Sequence, residues 1–298
     1  MDPHRRALFE LHVCVVLWGI TAILGKVITL PAAHLVWWRM LLVTLALACF
    51  PRVWRAIRLV PPRLVAVYAG IGCMIAVHWL CFYASVKLAN ASVAATTMAL
   101  APVVVALTEP WITGARFERH NLVLGILVIP GVALAVGGIS ADMHLGFWVG
   151  VASAALAAVF NLLNKRFLGQ QDAMAVTGIE LGSGFLLLAA VTPLLVPAGS
   201  MFVLPSVQDG AWLLVLAIFC TLIPFVVSLG TLRYLSAFTT QLAVNLEPVY
   251  AILLAVLFLG EARELDGLFF LGVLIVLLAV VGHAWLSTRS LKSGAISR

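Results

Sequence analysis

The chain has 298 residues, of which 63% are hydrophobic and only 10% are charged, and its formal net charge is +6. Soluble domains are typically about half apolar and about a quarter charged, and the mean hydropathy of +1.14 lies far to the apolar side of them. This composition excludes a soluble globular enzyme, a disordered protein and a nucleic-acid-binding protein.

Long apolar segments follow one another along the chain with short polar connections. Lipid offers no hydrogen-bond partner, so an apolar segment of about 20 residues satisfies its backbone as a helix. The runs are continuous rather than alternating, which argues against a β-barrel. The sequence therefore predicts an all-α polytopic membrane protein with ten transmembrane helices, called spans 1 to 10 in chain order: 9–29, 32–50, 64–84, 92–113, 120–139, 145–164, 173–197, 210–230, 236–259 and 265–287.

The basic residues are distributed unevenly between the two sides that these spans define. Fourteen Lys and Arg residues lie at the N-terminus, in every second loop and in the C-terminal tail, against three in the opposite loops. Cytoplasmic loops of membrane proteins carry such an excess. We therefore expect both termini in the cytoplasm. The same placement explains the positive net charge without a nucleic-acid partner.

The two halves of the chain match at an offset of 146 residues. Pro102 falls on Pro248 and Gly114 on Gly260; the further matches are Ala91 with Ala237, Lys87 with Arg233, Leu100 with Leu246, Val103 with Val249, Leu107 with Leu253, and Glu118 with Glu264. Each half holds five spans, an odd number, so the second half enters the membrane from the opposite side. This predicts two inverted five-helix repeats, residues 1–140 and 141–298, an arrangement common in secondary transporters.

Three segments resemble the EamA-type repeat of the drug/metabolite transporter superfamily. They are VLWGITAILGK (16–26), which is followed by the helix that holds Arg39, LEPVYAILLAVLFLGE (246–261) and LFFLGVLIVLLAVVG (268–282). The resemblance covers essentially the whole chain in two copies. It implies ten helices, a central cavity between the halves and alternating access, without a cofactor. It also implies a small organic substrate, with amino acids or related compounds first, exported across a bacterial inner membrane.

The first copy departs from the pattern of the second. Ala101 stands where the second copy has Glu247, and Ala115 stands where it has Glu261. We therefore expect any charged function at these places to belong to the second half.

Glu247 is the strongest candidate for a substrate or proton site. It lies near the middle of span 9, where a charge is costly and needs a partner or a proton. Pro248 follows directly and exposes polar backbone one turn earlier, as Pro102 does in span 4, so both are candidate helix breaks or hinges. Tyr250 shares the face of Glu247. The alternative is a neutral, hydrogen-bonded structural acid.

Arg39 in span 2 and Glu180 in span 7 lie at mirrored depths and are candidate repeat equivalents of opposite charge. Each needs water, a partner or substrate. The alternative for Arg39 is an ion pair that fixes packing, or a side chain that extends to the membrane surface past Trp37 and Trp38. The alternative for Glu180 is similar, but the residues on its helical face suit a cavity wall.

His78 in the middle of span 3 is a candidate proton or substrate site. Cys81 follows three residues later, but two isolated ligands are a weak metal signal, and we expect no metal. Trp79 is expected to serve packing. Asn161 and Asn164 lie along one side of span 6, where amide side chains often hold helices together.

The sequence motifs disfavour one other class of function and leave two others open. No nucleotide-binding, HExxH or GxSxG motif occurs, so an intramembrane enzyme is a distant rival. A channel-like carrier and a lipid-carrier flippase remain alternatives. We expect the partners to be the lipid bilayer, a small-molecule substrate and a coupling proton, with the chain as a monomer or weak dimer. Glu261, Glu264 and Asp266 are expected in a solvated outer loop.

Overall fold

The computed structural model describes residues 2–114, 120–195, 203–235, 240, 243–244 and 246–294, without the side chains of residues 120–125, 195, 280 and 283–294. Regular structure is helical throughout this part of the chain, as predicted. The repeat matches at Ala115, Glu118 and Ala237 lie outside the described residues.

The helices follow one another with short connections. We number them α1 (Pro3–Val27), α2 (Ala32–Ala48), α3 (Pro51–Ile57), α4 (Pro62–Leu88), α5 (Ala91–Met98), α6 (Ala101–Thr113), α7 (His120–Gly137), α8 (His144–Phe167), α9 (Ala173–Leu195), α10 (Val207–Ala217), α11 (Ile223–Thr231), α12 (Glu247–Leu254) and α13 (Gly267–Gly294).

Every predicted span coincides with apolar helix in the described ranges. Six segments are long and apolar enough to cross a membrane, and the bent pair α2–α3 is a seventh. Shorter apolar helices lie at spans 5, 9 and 10, namely Ile126–Gly137, Glu247–Leu259 and Gly267–Ala279. The chain is an all-α polytopic membrane protein, and the prediction of ten helices in two inverted repeats is confirmed.

The connection after span 2 differs from the predicted loop. Residues 51–57 form α3, which is bent by 91° from α2. Pro51 fits the first turn of a helix, where its missing N–H is not needed, and the Trp54 indole N–H donates to the carbonyl of Ala48 over 2.9 Å. Two of the basic residues of this loop, Arg52 and Arg55, therefore lie on a short helix.

Matching glycines end spans 4 and 9 in the two repeats. Gly114 has φ +77° and Gly260 has φ +69°, which is the left-handed conformation that glycine adopts without a steric penalty. The two halves therefore end the same helix with the same backbone geometry at the 146-residue offset.

Helix α4 lies at the centre of the bundle, against α8 on one side and α9 on the other. Gly72 permits the close approach to α9, since a Cβ at this position would lie 2.0 Å from the carbonyl oxygen of Glu180. Helix α1 packs against α11 and α12, and α13 packs against α7. Large apolar side chains on the outer faces, such as Phe9, Leu257 and Phe258, are exposed, as lipid contact requires.

Candidate substrate cavity

A cavity lies between the two halves. Like the ligand sites of other proteins, it is lined mostly by apolar side chains with a few polar groups. The lining comes from both repeats: Leu11, Trp18, Thr21, Arg39, His78, Trp79, Phe82, Met98, Ala101, Ala157, Phe160, Asn161, Asn164, Phe225, Ser228, Leu229, Leu232, Thr240, Val244, Glu247 and Pro248.

Arg39 enters the cavity wall from the buried face of α2, which it shares with Val36, Met40, Val43 and Leu47 at helical spacing. The side chain is only 2% exposed. It therefore does not extend to the membrane surface. No carboxylate of the described residues lies within ion-pair distance of it, so the alternative of a fixed ion pair is not what the structure places here.

Neutral groups hold the guanidinium instead. Its Nε donates to Thr221 Oγ1 over 2.6 Å and its Nη1 to the Tyr83 hydroxyl over 2.9 Å. The guanidinium carbon lies 3.7 Å from the ring centroid of Trp79, within the range of a cation–π contact. Trp79, which the sequence assigned to packing, is thus part of the site. The positive charge stays available to an anionic group in the cavity.

The backbone of span 8 also contacts the guanidinium of Arg39. Residues 218–222 form a π-helical turn between α10 and α11, a feature that often occurs at functional sites. Pro224 has no N–H to donate to the carbonyl of Cys220 four residues earlier. That carbonyl lies 3.5 Å from Arg39 Nη2 and accepts its hydrogen bond. Pro224, a proline inside span 8, is the feature of the sequence that could have indicated this contact.

Glu247 also lines the cavity, at the first position of α12, where the helix dipole favours a negative group. It is partly buried. Its carboxyl and the Arg39 guanidinium are close enough to interact electrostatically, but they do not meet as an ion pair. The cavity therefore holds an acidic and a cationic group that are not paired with each other.

His78 lines the cavity beside Phe82 and Phe160. Ser153 fixes its ring, because Nδ1 lies 2.9 Å from the Ser153 carbonyl oxygen and 2.8 Å from its hydroxyl oxygen. A ring nitrogen that meets a carbonyl oxygen acts as the donor, which sets the tautomer and leaves Nε2 as the acceptor. Asn161 and Asn164 line the same wall rather than serving packing alone.

The structure separates two other candidates from the cavity. Glu180 is fully buried in α9 and is not among the lining residues, so the expectation of a cavity-wall position is wrong for this conformation. The Tyr250 hydroxyl turns to α1, where it lies 2.9 Å from His12 Nε2. His12 carried no sequence signal, because its partner is 238 residues away.

The two matched prolines lie beside the cavity. Helix α5 ends at Met98 and α6 begins at Ala101, with Pro102 in its first turn; Pro248 occupies the first turn of α12. Met98 and Val244, four residues before each proline, both line the cavity. Their carbonyls lose the helical donor that a proline lacks. The role of both prolines as hinges stays a prediction.

Carboxylates join the two repeats at one end of the molecule. Asp209 accepts from the Thr29 N–H over 2.9 Å and from its hydroxyl over 2.6 Å. Glu261 is 1% exposed and accepts from the N–H groups of Ala91 and Ser92 over 3.0 and 2.8 Å. The expectation of a solvated Glu261 is therefore wrong, because the carboxylate caps the start of α5.

The two neighbouring acids are also engaged. Glu264 accepts from the Asn90 amide over 3.1 Å, and Asp266 accepts from the N–H of Leu268 over 2.9 Å at the start of α13. The loop between spans 9 and 10 is thus a contact between repeats rather than a free loop.

Basic residues make the contacts at the opposite end. Lys165 donates to the carbonyls of Leu232 and Leu235 over 2.7 and 2.9 Å, and Arg166 donates to that of Ile112. The cavity reaches towards this end, where Leu232 and Asn164 line it, while Thr29, Asp209 and Glu261 at the other end do not.

A ten-span bundle of two inverted repeats around a central polar-and-aromatic cavity defines a membrane transporter by its class. The model of the EamA-like transporter family matches residues 6–137 and 144–284, and the chain belongs to that family. A solved protein crystal structure is similar, with a TM-score of 0.67, 20% identity and coverage of 96% of this chain and 99% of that one, which shows the shared fold. No curated protein sequence matches the chain.

Proposed function

We propose that the protein is a secondary transporter that exports small zwitterionic metabolites of the amino-acid class. The observation that supports this most directly is that one cavity holds both an arginine and a glutamate that do not form an ion pair with each other. Arg39 offers its guanidinium to a carboxylate, and Glu247 offers its carboxylate to an ammonium group. A substrate that carries both groups neutralises the charges of both Arg39 and Glu247, whereas a singly charged compound neutralises only one of them.

The remaining lining favours an apolar side chain on that substrate. Trp18 and Trp79 both approach Phe225, with ring centroids 6.4 Å apart for Trp18 and Phe225 and 5.5 Å apart for Trp79 and Phe225. Aromatic walls provide a large apolar contact area with defined geometry. The cavity extends towards the end predicted to be cytoplasmic, and this supports loading from the cytoplasm before export.

Three compounds of similar shape test the charge assignment. L-Phenylalanine carries both charges, 3-phenylpropanoate only the carboxylate, and 2-phenylethylamine only the ammonium. Because a ligand stabilises the state that binds it, we expect L-phenylalanine to raise the melting temperature of the purified protein most. Glu247→Gln should reduce its effect to that of 3-phenylpropanoate. Equal stabilisation by all three compounds would contradict the assignment.

Transport in proteoliposomes separates the mechanistic alternatives. An alternating-access carrier exchanges labelled for unlabelled L-phenylalanine across the membrane in saturable counterflow. A channel-like pathway passes the label without counterflow. Uptake into inverted membrane vesicles tests the direction, because an exporter fills such vesicles.

A further inference from the structure

Glu180 differs from the other buried carboxylates of the described residues. Its side chain is 0% exposed, and neither carboxyl oxygen has a hydrogen-bond partner. Asp209 and Glu261, by contrast, each accept two hydrogen bonds. An ionised carboxylate without donors is strongly disfavoured away from water. The environment of Glu180 therefore favours the protonated, neutral acid.

Two polar side chains near this acid also have an oxygen without a hydrogen-bond partner. The Asn164 side chain interacts with the Glu180 carboxyl, outside the geometry of a hydrogen bond, and its Oδ1 is buried without a partner. Thr177 Oγ1, one helical turn before Glu180 on α9, is also buried without a partner. A protonated Glu180 adds an O–H donor to this cluster, and Asn164, whose amide can turn its oxygen towards that O–H, is the neighbouring polar side chain.

The titratable groups on the neighbouring helices are engaged elsewhere. On α4, Tyr68 is close enough to Glu180 to interact electrostatically, but its hydroxyl donates to the carbonyl of Phe167 over 2.8 Å. On α8, Lys165 donates to backbone carbonyls. On α2, Arg39 is held by Thr221 and Tyr83, on α3 Arg52 pairs with Asp172, and α11 carries no titratable side chain. None of these groups offsets a charge on Glu180.

Asn164 connects Glu180 to the cavity. The amide lines the cavity that holds Arg39 and Glu247, whereas the carboxyl lies behind it. A proton on Glu180 gives the Asn164 oxygen a partner, and its loss leaves a carboxylate that turns the amide nitrogen towards itself. The protonation state of Glu180 thus changes which end of the amide faces the cavity.

The inverted repeats relate the sealed position of Glu180 to a second state of the carrier. Arg39, its candidate counterpart in the other repeat, lines the cavity while Glu180 does not. The two halves share one fold in opposite orientations, so each half can adopt the arrangement of the other when the cavity opens on the opposite side. Glu180 then reaches water in that second state.

We propose that Glu180 is the exchangeable site of a coupling proton, sealed behind Asn164 in this state and opened to water in the other. This inference rests on the proposed transport function. In the opened state the Glu180 carboxylate takes a proton from the water of that side, which forms its O–H bond. When the cavity opens again as it does here, a turn of the Asn164 amide exposes this O–H to the cavity, the bond breaks, and the proton leaves to water on the opposite side. One proton therefore crosses, in the direction opposite to an exported substrate, for each cycle of the carrier.

Infrared spectroscopy of the purified protein tests the proton site without any substrate. A protonated carboxyl gives a C=O band, and we expect one such band at neutral pH to vanish in Glu180→Gln but not in Glu10→Gln, whose carboxylate is paired on the surface with Arg6 over 2.7 Å. Asn164→Leu should move the band to higher frequency, because the acid loses its acceptor. Transfer to D₂O should shift the band.

Two spectroscopic results would overturn the proposal. Survival of every acid band in Glu180→Gln would show that this carboxyl is ionised. An acid band that never shifts in D₂O would show a sealed structural acid. If Glu180→Gln folds poorly, the effect of Asn164→Leu and the shift in D₂O still assign the band to Glu180.

A transport measurement tests the coupling. In proteoliposomes with an imposed pH gradient, Glu180→Gln should lose concentrative movement of L-phenylalanine and keep exchange of labelled for unlabelled compound. Gradient-driven accumulation equal to that of the wild type, or its replacement by sodium dependence, would overturn the coupling role. If the wild-type protein moves no L-phenylalanine at all, the proposed substrate class fails, and the infrared bands still decide the proton site.

Discussion

A buried arginine without a carboxylate partner is the central residue-level feature of the cavity. Its charge is held by hydrogen-bond acceptors and by the face of Trp79, none of which carries a formal negative charge. A permanent ion pair would cancel the charge, and the substrate would then have to displace the carboxylate. The arrangement at Arg39 keeps the charge unpaired and in a fixed geometry, as recognition of a carboxylate requires.

Arg39→Lys tests this arrangement while it keeps the positive charge. Lysine cannot bond Thr221 and Tyr83 in a fixed fork, and its compact ammonium stacks poorly on Trp79. We expect binding of L-phenylalanine to weaken by about 1–2 kcal/mol, or roughly tenfold or somewhat more. Titration calorimetry on the purified protein measures the change.

Arg5→Lys is the matched control for this substitution. Arg5 is exposed at the start of α1, so the same chemical change there should leave the affinity unaltered. An Arg39→Lys protein with wild-type affinity would mean that only the charge of residue 39 matters to the ligand.

The sequence identified the charged members of the cavity but not what holds them. A charge in the middle of an apolar span is conspicuous, so Arg39, His78 and Glu247 could be selected from sequence alone. Trp79 looked like any aromatic residue in a helix. Thr221 meets Arg39 across 182 residues of sequence, and helical periodicity carries no information about such contacts between spans.

At the scale of the helices, the position of Glu180 depends on the contact between α4 and α9. Gly72 faces the backbone of α9, and Gly184 faces the carbonyl oxygen of Gly72, at 2.7 Å from a Cβ built there. Small residues let membrane helices approach closely, which increases their packing contacts. The sequence showed glycines in both spans but not which of them face each other.

Gly72→Ala should disrupt this contact. The added methyl carbon would lie 2.0 Å from the carbonyl oxygen of Glu180 and 2.3 Å from Ser183 Oγ, and the carbonyl belongs to a helix that cannot yield locally. We expect a cost of about 1–3 kcal/mol from overpacking, seen as a lower melting temperature in detergent and a smaller folded fraction on size-exclusion chromatography.

The same helix provides the control for this prediction. Gly70→Ala adds its methyl group where no atom lies within 4 Å, and alanine favours a helix over glycine by about 1 kcal/mol. Gly70→Ala should therefore be neutral or slightly stabilising. Equal destabilisation by both changes would show that helix flexibility, and not the contact between α4 and α9, explains the effect.

Breaks within the spans were predicted only in part. Prolines in the sequence indicated interruptions of spans 4 and 9, and the helices α5 and α6 do separate just before Pro102. The turn from α2 into α3 was read as a loop, because the charged residues after position 51 interrupt the hydrophobic pattern. A short helix at a membrane edge has no apolar run of its own that would indicate it.

At the scale of the whole molecule, the described contacts between loops fall into two sets. Thr29, Lys87, Asp209 and Glu261, from loops predicted to be outside, bond to residues at one end. Lys165 and its basic neighbours, from loops predicted to be inside, bond to residues at the other end. Loops predicted to lie on the same side of the membrane therefore meet at the same end of the molecule. Which end faces the cytoplasm is a separate prediction.

Reporter fusions test that orientation. The excess of basic residues at the termini and in every second loop predicts that both termini face the cytoplasm, because positively charged segments are retained there during insertion. Green fluorescent protein fused after Arg298 should fluoresce, and alkaline phosphatase there should be inactive. Both reporters inserted within residues 197–209, between spans 7 and 8, should give the opposite result. An active phosphatase at the C-terminus would mean an odd number of crossings or an inverted chain, and the cavity beside Leu232 would then open to the outside and not to the cytoplasm.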